Sequence, residues 1–207
     1  MKRFLGVAAG LLVIAVTVAG CAHGLRSGWT SLIDGEKGLE NFTTVGDANW
    51  RAEGGAIVAD KGKGGHLLTK KSYRDFELRA EFYAETTTQS GIFFRISEPQ
   101  KIGSASAYEA NIYDLRPGQE YATGAIVDFA AVPVPIIHKA GPPKGGKWNV
   151  MEIHAKGDDL TVKLNGVVTA HARNGKFKEG PISLQFGNLP KAPGGPIKWR
   201  KLEIVEL

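Results

Sequence analysis

The residues whose types and spacing could do chemistry sit in one stretch, Gln89 to Asp114, with the sequence QSGIFFRISEPQKIGSASAYEANIYD. It reads as two β-strands joined by a polar loop. In the first, Ile92, Phe94 and Ile96 alternate with Gly91, Phe93 and Arg95. In the second, Tyr108, Ala110 and Ile112 alternate with Glu109, Asn111 and Tyr113. Successive side chains of a strand point to opposite faces, so each strand has one apolar face for a core. Its other face carries Arg95 in one case and Glu109 with Asn111 in the other. A guanidinium, a carboxylate and an amide on the open face of a sheet can hold a polar ligand. The plain alternative is a cross-strand ion pair on a solvated face, worth little by itself.

Further candidates lie outside this stretch. Gln185 stands with Ser183 on one face of a late strand, in otherwise apolar text, where it either meets solvent or lines a site. His138-Lys139 falls in a long Pro/Gly segment that can lean over a sheet. His154, between Glu152 and Lys156 on a polar strand face, reads as a surface histidine. Asp158-Asp159 reads as a turn rather than a calcium site, since Asp bonds locally to turn backbone. Trp148 reads as a core or edge anchor rather than a sugar platform. The histidines, at positions 23, 66, 138, 154 and 171, show no metal-ligand spacing. There is no Gly-x-Ser-x-Gly elbow, Walker loop or dinucleotide fingerprint. No cofactor is expected, although a divalent metal held from separate strands stays open.

The elements that must position these groups are strands. Asp75 to Tyr83 alternates most clearly, with Phe76, Leu78, Ala80 and Phe82 on one face and Glu77, Arg79, Glu81 and Tyr83 on the other. Trp50 to Asp60 reads as a hairpin turning at Gly54-Gly55, and Leu164-Asn165-Gly166-Val167 as a tight one with Asn-Gly at its tip. His66 to Thr69, Thr123 to Phe129, Trp148 to Lys156, Leu160 to Leu164, Pro181 to Phe186 and Ile197 to Val205 read as further strands. Ala130 to Lys147 is the longest loop expected, and long loops in compact domains are often functional. About a dozen evenly spaced strands without a helical period predict an all-β antiparallel sandwich or jelly roll.

The chain's ends and charge bound its partners. Met1-Lys2-Arg3, an apolar run from Phe4 to Val18, and Val18-Ala19-Gly20-Cys21 have the order of a secretory signal. The run is short for a membrane span, which needs about 20 residues. Val-Ala-Gly-Cys resembles the bacterial lipobox, which implies a lipid anchor on Cys21. With Ala22 rather than Asp following, that resemblance favours the outer membrane facing the periplasm. The expected organisation is a signal peptide over 1–20, a tether over 21–28 and one domain over 29–207. Cys21 is the single cysteine, so no internal disulfide forms. The net charge of +5 is interspersed, with no basic tract to indicate a nucleic-acid partner.

Several blocks in order carry a family resemblance. They are Leu32-Ile33-Asp34-Gly35, Tyr73-Arg74-Asp75-Phe76-Glu77-Leu78, Ser90-Gly91-Ile92-Phe93-Phe94-Arg95 and Tyr108-Glu109-Ala110-Asn111-Ile112-Tyr113-Asp114. Thr123-Gly124-Ala125-Ile126, Lys147-Trp148-Asn149, Leu164-Asn165-Gly166 and Gly180-Pro181-Ile182-Ser183-Leu184-Gln185 follow. Together they resemble the bacterial domain family named for 3-keto-disaccharide hydrolases. That resemblance implies a concanavalin A-like fold of the lectin and glucanase type, with one concave, ligand-binding sheet. It also implies cleavage of 3-keto-glycosides, with a small carbohydrate as partner. The C3 ketone acidifies the C2 proton, so the aglycone can leave by β-elimination followed by addition of water. On this reading Glu109 is the base and Arg95 stabilises the oxyanion or orients Glu109. Asn111, Gln185, His138 and Lys139 bind the sugar, and Asp114 is an acid for the leaving group. Strict alternation turns Asp114 away from Glu109, so that role requires a bulge or a rim position. The chain departs from the family pattern at Gln89, at Asn111 and at Phe186-Gly187, where the family carries Asp-His. If that histidine assists catalysis, this chain either lacks the activity or uses another residue, with His138 and His154 as candidates. The alternatives are a carbohydrate-binding lipoprotein without catalysis, using the same face, and a structural lipoprotein that contacts another protein there.

Overall fold

The computed structural model describes residues 28–133, 145–188 and 193–207. Its strands are β1 (Thr30–Asp34), β2 (Phe42–Gly46), β3 (Arg51–Glu53), β4 (Ala56–Ala59), β5 (Gly64–Tyr73), β6 (Phe76–Ala84) and β7 (Ser90–Phe94). They continue with β8 (Tyr108–Ile112), β9 (Lys147–Lys156), β10 (Asp159–Leu164), β11 (Val167–Arg173), β12 (Gly180–Gly187) and β13 (Ile197–Glu206). The leader, Cys21, His138 and Lys139 lie outside the described residues. No helix among the described residues is long and apolar enough to cross a membrane.

Two antiparallel sheets pack face to face. One has eight strands, in the order β11-β10-β9-β6-β13-β4-β3 with β1 also on β13; the other has five, in the order β2-β5-β12-β7-β8. Period-two patterning builds the core. On β6, Phe76, Leu78, Ala80, Phe82 and Ala84 are buried while the residues between them are half-exposed. From the five-stranded sheet Leu67, Leu184, Ile92, Phe94, Tyr108, Ala110 and Ile112 meet them. Each large side chain so buried contributes roughly 1.5–3 kcal/mol. At the β10–β11 turn Asn165 and Gly166 both have positive φ, 51° and 81°, as a two-residue primed turn requires.

Two local expectations are corrected. Thr123 to Phe129 is not a full strand. It touches β8 by an isolated bridge, Ala110 to Ile126, and by Asn111 N–H to Ala125 O at 3.0 Å, then turns at Asp128, whose φ is 66°. This ribbon protects the edge of β8 from pairing with other chains. β7 ends at Phe94, because Arg95 adopts a φ of 53°. That rotation reverses the alternation: Ile96 joins Phe93, Leu68, Ile102 and Ala107 in a small cluster apart from the main core.

Candidate functional site

The outer face of the five-stranded sheet follows from its register. Ser183 pairs with Leu68 on β5 and with Phe93 on β7, and Phe93 pairs with Glu109. One residue pair further along, Gln185 pairs with His66, and Gly91 with Asn111. The pleat therefore puts His66, Ser183, Gln185, Gly91, Phe93, Glu109 and Asn111 on one side of the sheet.

Glu109 is the centre of this face. It is 9% exposed, and among the described residues no side chain donates a hydrogen bond to it. Burial pushes its carboxyl up to about 7; Arg116 opposes the rise and Asp128 adds to it. Its side chain leans across β7 over Gly91, where a Cβ would lie 2.9 Å from Glu109 Oε1. A side chain there would press on the carboxylate. Gln185 is half-buried beside Gly91's position, and its carbonyl accepts a hydrogen bond from Ser90 Oγ at 2.6 Å.

His66 is the residue that sequence reasoning missed. Its Nδ1 lies 2.7 Å from Ser183 Oγ, and its ring meets Phe93 edge-on with centroids 5.4 Å apart. Burial holds the imidazole down to about 4, so it is neutral at neutral pH. One signal was available: Leu67 and Thr69 face inward, which turns His66 and Leu68 outward. The partner strand, 117 residues away in sequence, was not legible.

Arg95 is not brought to Glu109. Its side chain is fully buried and crosses the end of the sandwich. Nε donates to Arg74 O at 2.7 Å, Nη1 to Gly157 O at 2.7 Å and Phe177 O at 3.4 Å, and Nη2 to Asp75 Oδ1 at 3.0 Å. Burial lowers its pKa, with Asp75 opposing. It is a clamp between sheets, not an oxyanion donor. The left-handed backbone at Arg95 is the physical reason, since it takes the side chain off the face that alternation assigns.

The other candidates divide. Asn111 shares the face, but its Nδ2 donates to Tyr121 O at 2.6 Å and holds the following loop. Asp114 is buried beyond the end of β8 and accepts a hydrogen bond from Thr123 Oγ1 at 2.5 Å. His154 is on the outer side of the eight-stranded sheet, 3.3 Å from Glu77, and cannot stand in for a histidine beside Gln185. Trp148 is also on that side, under the Arg200 guanidinium at 4.3 Å, as an edge anchor rather than a bare platform. A polar groove of about 950 Å³ opens there too, lined by Asp34, Lys37, Arg79, Glu81, Arg200 and Glu203. Two of its acids are partnered: Glu81 meets Arg79 and Arg200, and Glu203 meets Lys201. Groups shifted by burial, rather than volume, mark the candidate face. Among the described residues no three His, Cys, Asp or Glu side chains gather in a metal-binding cluster.

A family model described as a 3-keto-alpha-glucoside-1,2-lyase-like domain matches residues 28–205. No curated protein sequence matches the chain. Two solved structures of candidate glycosyl hydrolases from Parabacteroides distasonis are similar in fold. One has a TM-score of 0.69 at 19% identity, covering 87% of this chain and 94% of that one. The other has 0.67 at 24% identity, covering 86% and 99%. A carbohydrate-binding module, CBM66 of Bacillus subtilis, has a TM-score of 0.57 at 15% identity, covering 86% and 96%. The two-sheet jelly roll of lectin type is thereby established.

Proposed function

Since the chain belongs to the 3-keto-alpha-glucoside-1,2-lyase-like family, we propose that it is a carbohydrate-active enzyme that cleaves 3-keto-glycosides by elimination and hydration, with Glu109 as the base. The observation that carries this is the Glu109 carboxyl itself. It is buried on a sheet face, over a bare glycine, with its pKa raised to about 7. A base poised near the working pH combines correct protonation with driving force for proton removal.

Glu109 takes the C2 proton, and the electron pair moves onto the C3 oxygen as an enolate. Collapse of the enolate expels the C1 aglycone oxygen, leaving a C1–C2 double bond conjugated with the ketone. Water then adds: its hydroxyl bonds to C1, Glu109 returns its proton to C2, and the second water proton goes to the aglycone oxygen. The sum is hydrolysis, and Glu109 ends as it began. Two opposed carboxylates, as ordinary glycosidases need, are not required. Gln185, beside the path of the carboxylate, binds a sugar hydroxyl.

The test is aglycone release from a 3-keto-glucoside and from its unoxidised parent, with and without chelator. Release from the keto substrate alone, lost in Glu109→Gln, supports the proposal. Sugar binding without release would instead make this a binding module that uses the same face. The Val-Ala-Gly-Cys sequence supports an envelope location through a lipid on Cys21. Mass spectrometry of the N-terminal peptide from membranes tests that; an unmodified Cys21 would sink it.

A further inference from the structure

The reaction above creates negative charge on the C3 oxygen, and Arg95, the cation expected to meet it, is committed elsewhere. His66 is on the right face. We propose that His66 donates a hydrogen bond from Nε2–H to the C3 oxygen of the bound keto sugar and stabilises the enolate formed when Glu109 removes the C2 proton. This rests on the elimination reading of the site.

The placement follows from strand register. Adjacent strands lie about 4.8 Å apart. Glu109, on β8, leans one strand inward over Gly91 of β7. His66, on β5, leans one strand inward onto Ser183 of β12. The carboxylate and the imidazole therefore stand over neighbouring strands, β7 and β12, offset along them by two residues because Ser183 pairs with Phe93 rather than Gly91. C2 and C3 are adjacent ring atoms, so one sugar lying over Gly91 and Gln185 presents its C2 proton to one group and its C3 oxygen to the other.

The imidazole is held for this task. Ser183 is fully buried and its Oγ lies 2.7 Å from Nδ1; with that hydroxyl as the donor the ring proton sits on Nε2, the tautomer this role requires. Phe93 fixes the ring plane from the side. Low basicity keeps the ring neutral, so it donates a hydrogen bond without transferring its proton. A fixed donor aimed at developing charge in a dry site is among the larger catalytic effects. His66 gains and loses no proton over the cycle.

The test compares the wild type with His66→Ala, His66→Gln and Glu109→Gln on the 3-keto-glucoside. His66→Ala should lower kcat about 10²–10³-fold, with KM little changed, because the bond strengthens only in the transition state. His66→Gln, with an amide N–H of similar reach, should recover part of that loss. Nitrogen NMR of the wild type near pH 6 should show a neutral His66 ring protonated at Nε2. An active wild type, an inactive Glu109→Gln and a fully active His66→Ala would overturn the His66 assignment and leave the elimination standing. A raised KM at unchanged kcat, or a ring protonated near pH 6, would also overturn it. No release by the wild type removes both.

Discussion

Each sheet turns a polar face outward, and each face carries a glutamate and a histidine. On the eight-stranded sheet Glu77 and His154 sit 3.3 Å apart across β6 and β9, with side chains 47% and 37% exposed. Around them Glu81 meets Arg79 and Arg200, and Lys201 meets Glu203. Each of these acids has a basic neighbour, and water screens the pair. On the five-stranded sheet Glu109 is buried and His66 half-buried. Glu109 is pushed up to about 7 and His66 down to about 4, and burial is the leading cause in both. The difference between the faces comes from removing water and withholding an ion-pair partner, not from the residue types.

The largest effect that can break this comparison is at Glu109. Glu109→Gln should lower turnover about 10²–10⁴-fold, the range for a lost general base. Glu77→Gln should leave turnover unchanged. Stability should move the other way. Because the folded-state value of Glu109 lies above its ordinary value, native and unfolded chains are both protonated in acid and the variant is neutral there. As pH rises above 4.5 the unfolded chain ionises while the native carboxyl stays protonated, and the difference is complete by about 7, where the native state carries the charge as well, now buried. Glu109→Gln should then be the more stable protein, by on the order of 3 kcal/mol. Urea unfolding on both sides of that window checks it. A gap that did not widen with pH would mean that Glu109 is not desolvated.

Arg95 comes next and concerns the fold. Arg95→Met removes a buried cation from three carbonyls and Asp75, and should cost about 3–5 kcal/mol in denaturant unfolding. If it folds, it should keep turnover. Loss of turnover at unchanged stability would return Arg95 to the site.

These residues also show what the sequence could reveal. The alternation of Phe76, Leu78, Ala80 and Phe82, and Asn-Gly at position 165, were readable because strand and turn rules are local. Glu109 and Gln185 were readable as polar residues in apolar strands. Arg95 was misplaced because its φ of 53° is a conformation few non-glycine residues adopt, and no neighbour announces it. His66 was missed because its meaning depends on Ser183, which only the pairing of β5 with β12 supplies. The burial of Glu109 was equally hidden, since every residue of β7 and β8 is buried although their text alternates like a wet strand.

Gly91 should give a smaller, selective effect. In Gly91→Ala the new methyl group meets the Glu109 carboxylate, a flexible group that can shift aside. Misplacing a reacting group by about 1 Å can cost about 10²-fold in rate. Stability should change little, because alanine suits a strand at least as well as glycine. Equal turnover in Gly91→Ala would show that the carboxylate does not work from over β7.

The smallest effect belongs to the eight-stranded face and is the sharpest control. Glu77→Gln and His154→Gln, singly and together, should show a coupling below about 1 kcal/mol, as exposed pairs do. Any charged part of that coupling should fade with added salt, because screening acts within about 10 Å at moderate ionic strength. Turnover should stay at the wild-type value in all three variants, since neither side chain is desolvated or shares a face with Glu109. If instead the double variant lost turnover while Glu109→Gln kept it, the two faces would exchange roles. Solvated ion pairs would then be the working groups, and burial would mark only structure.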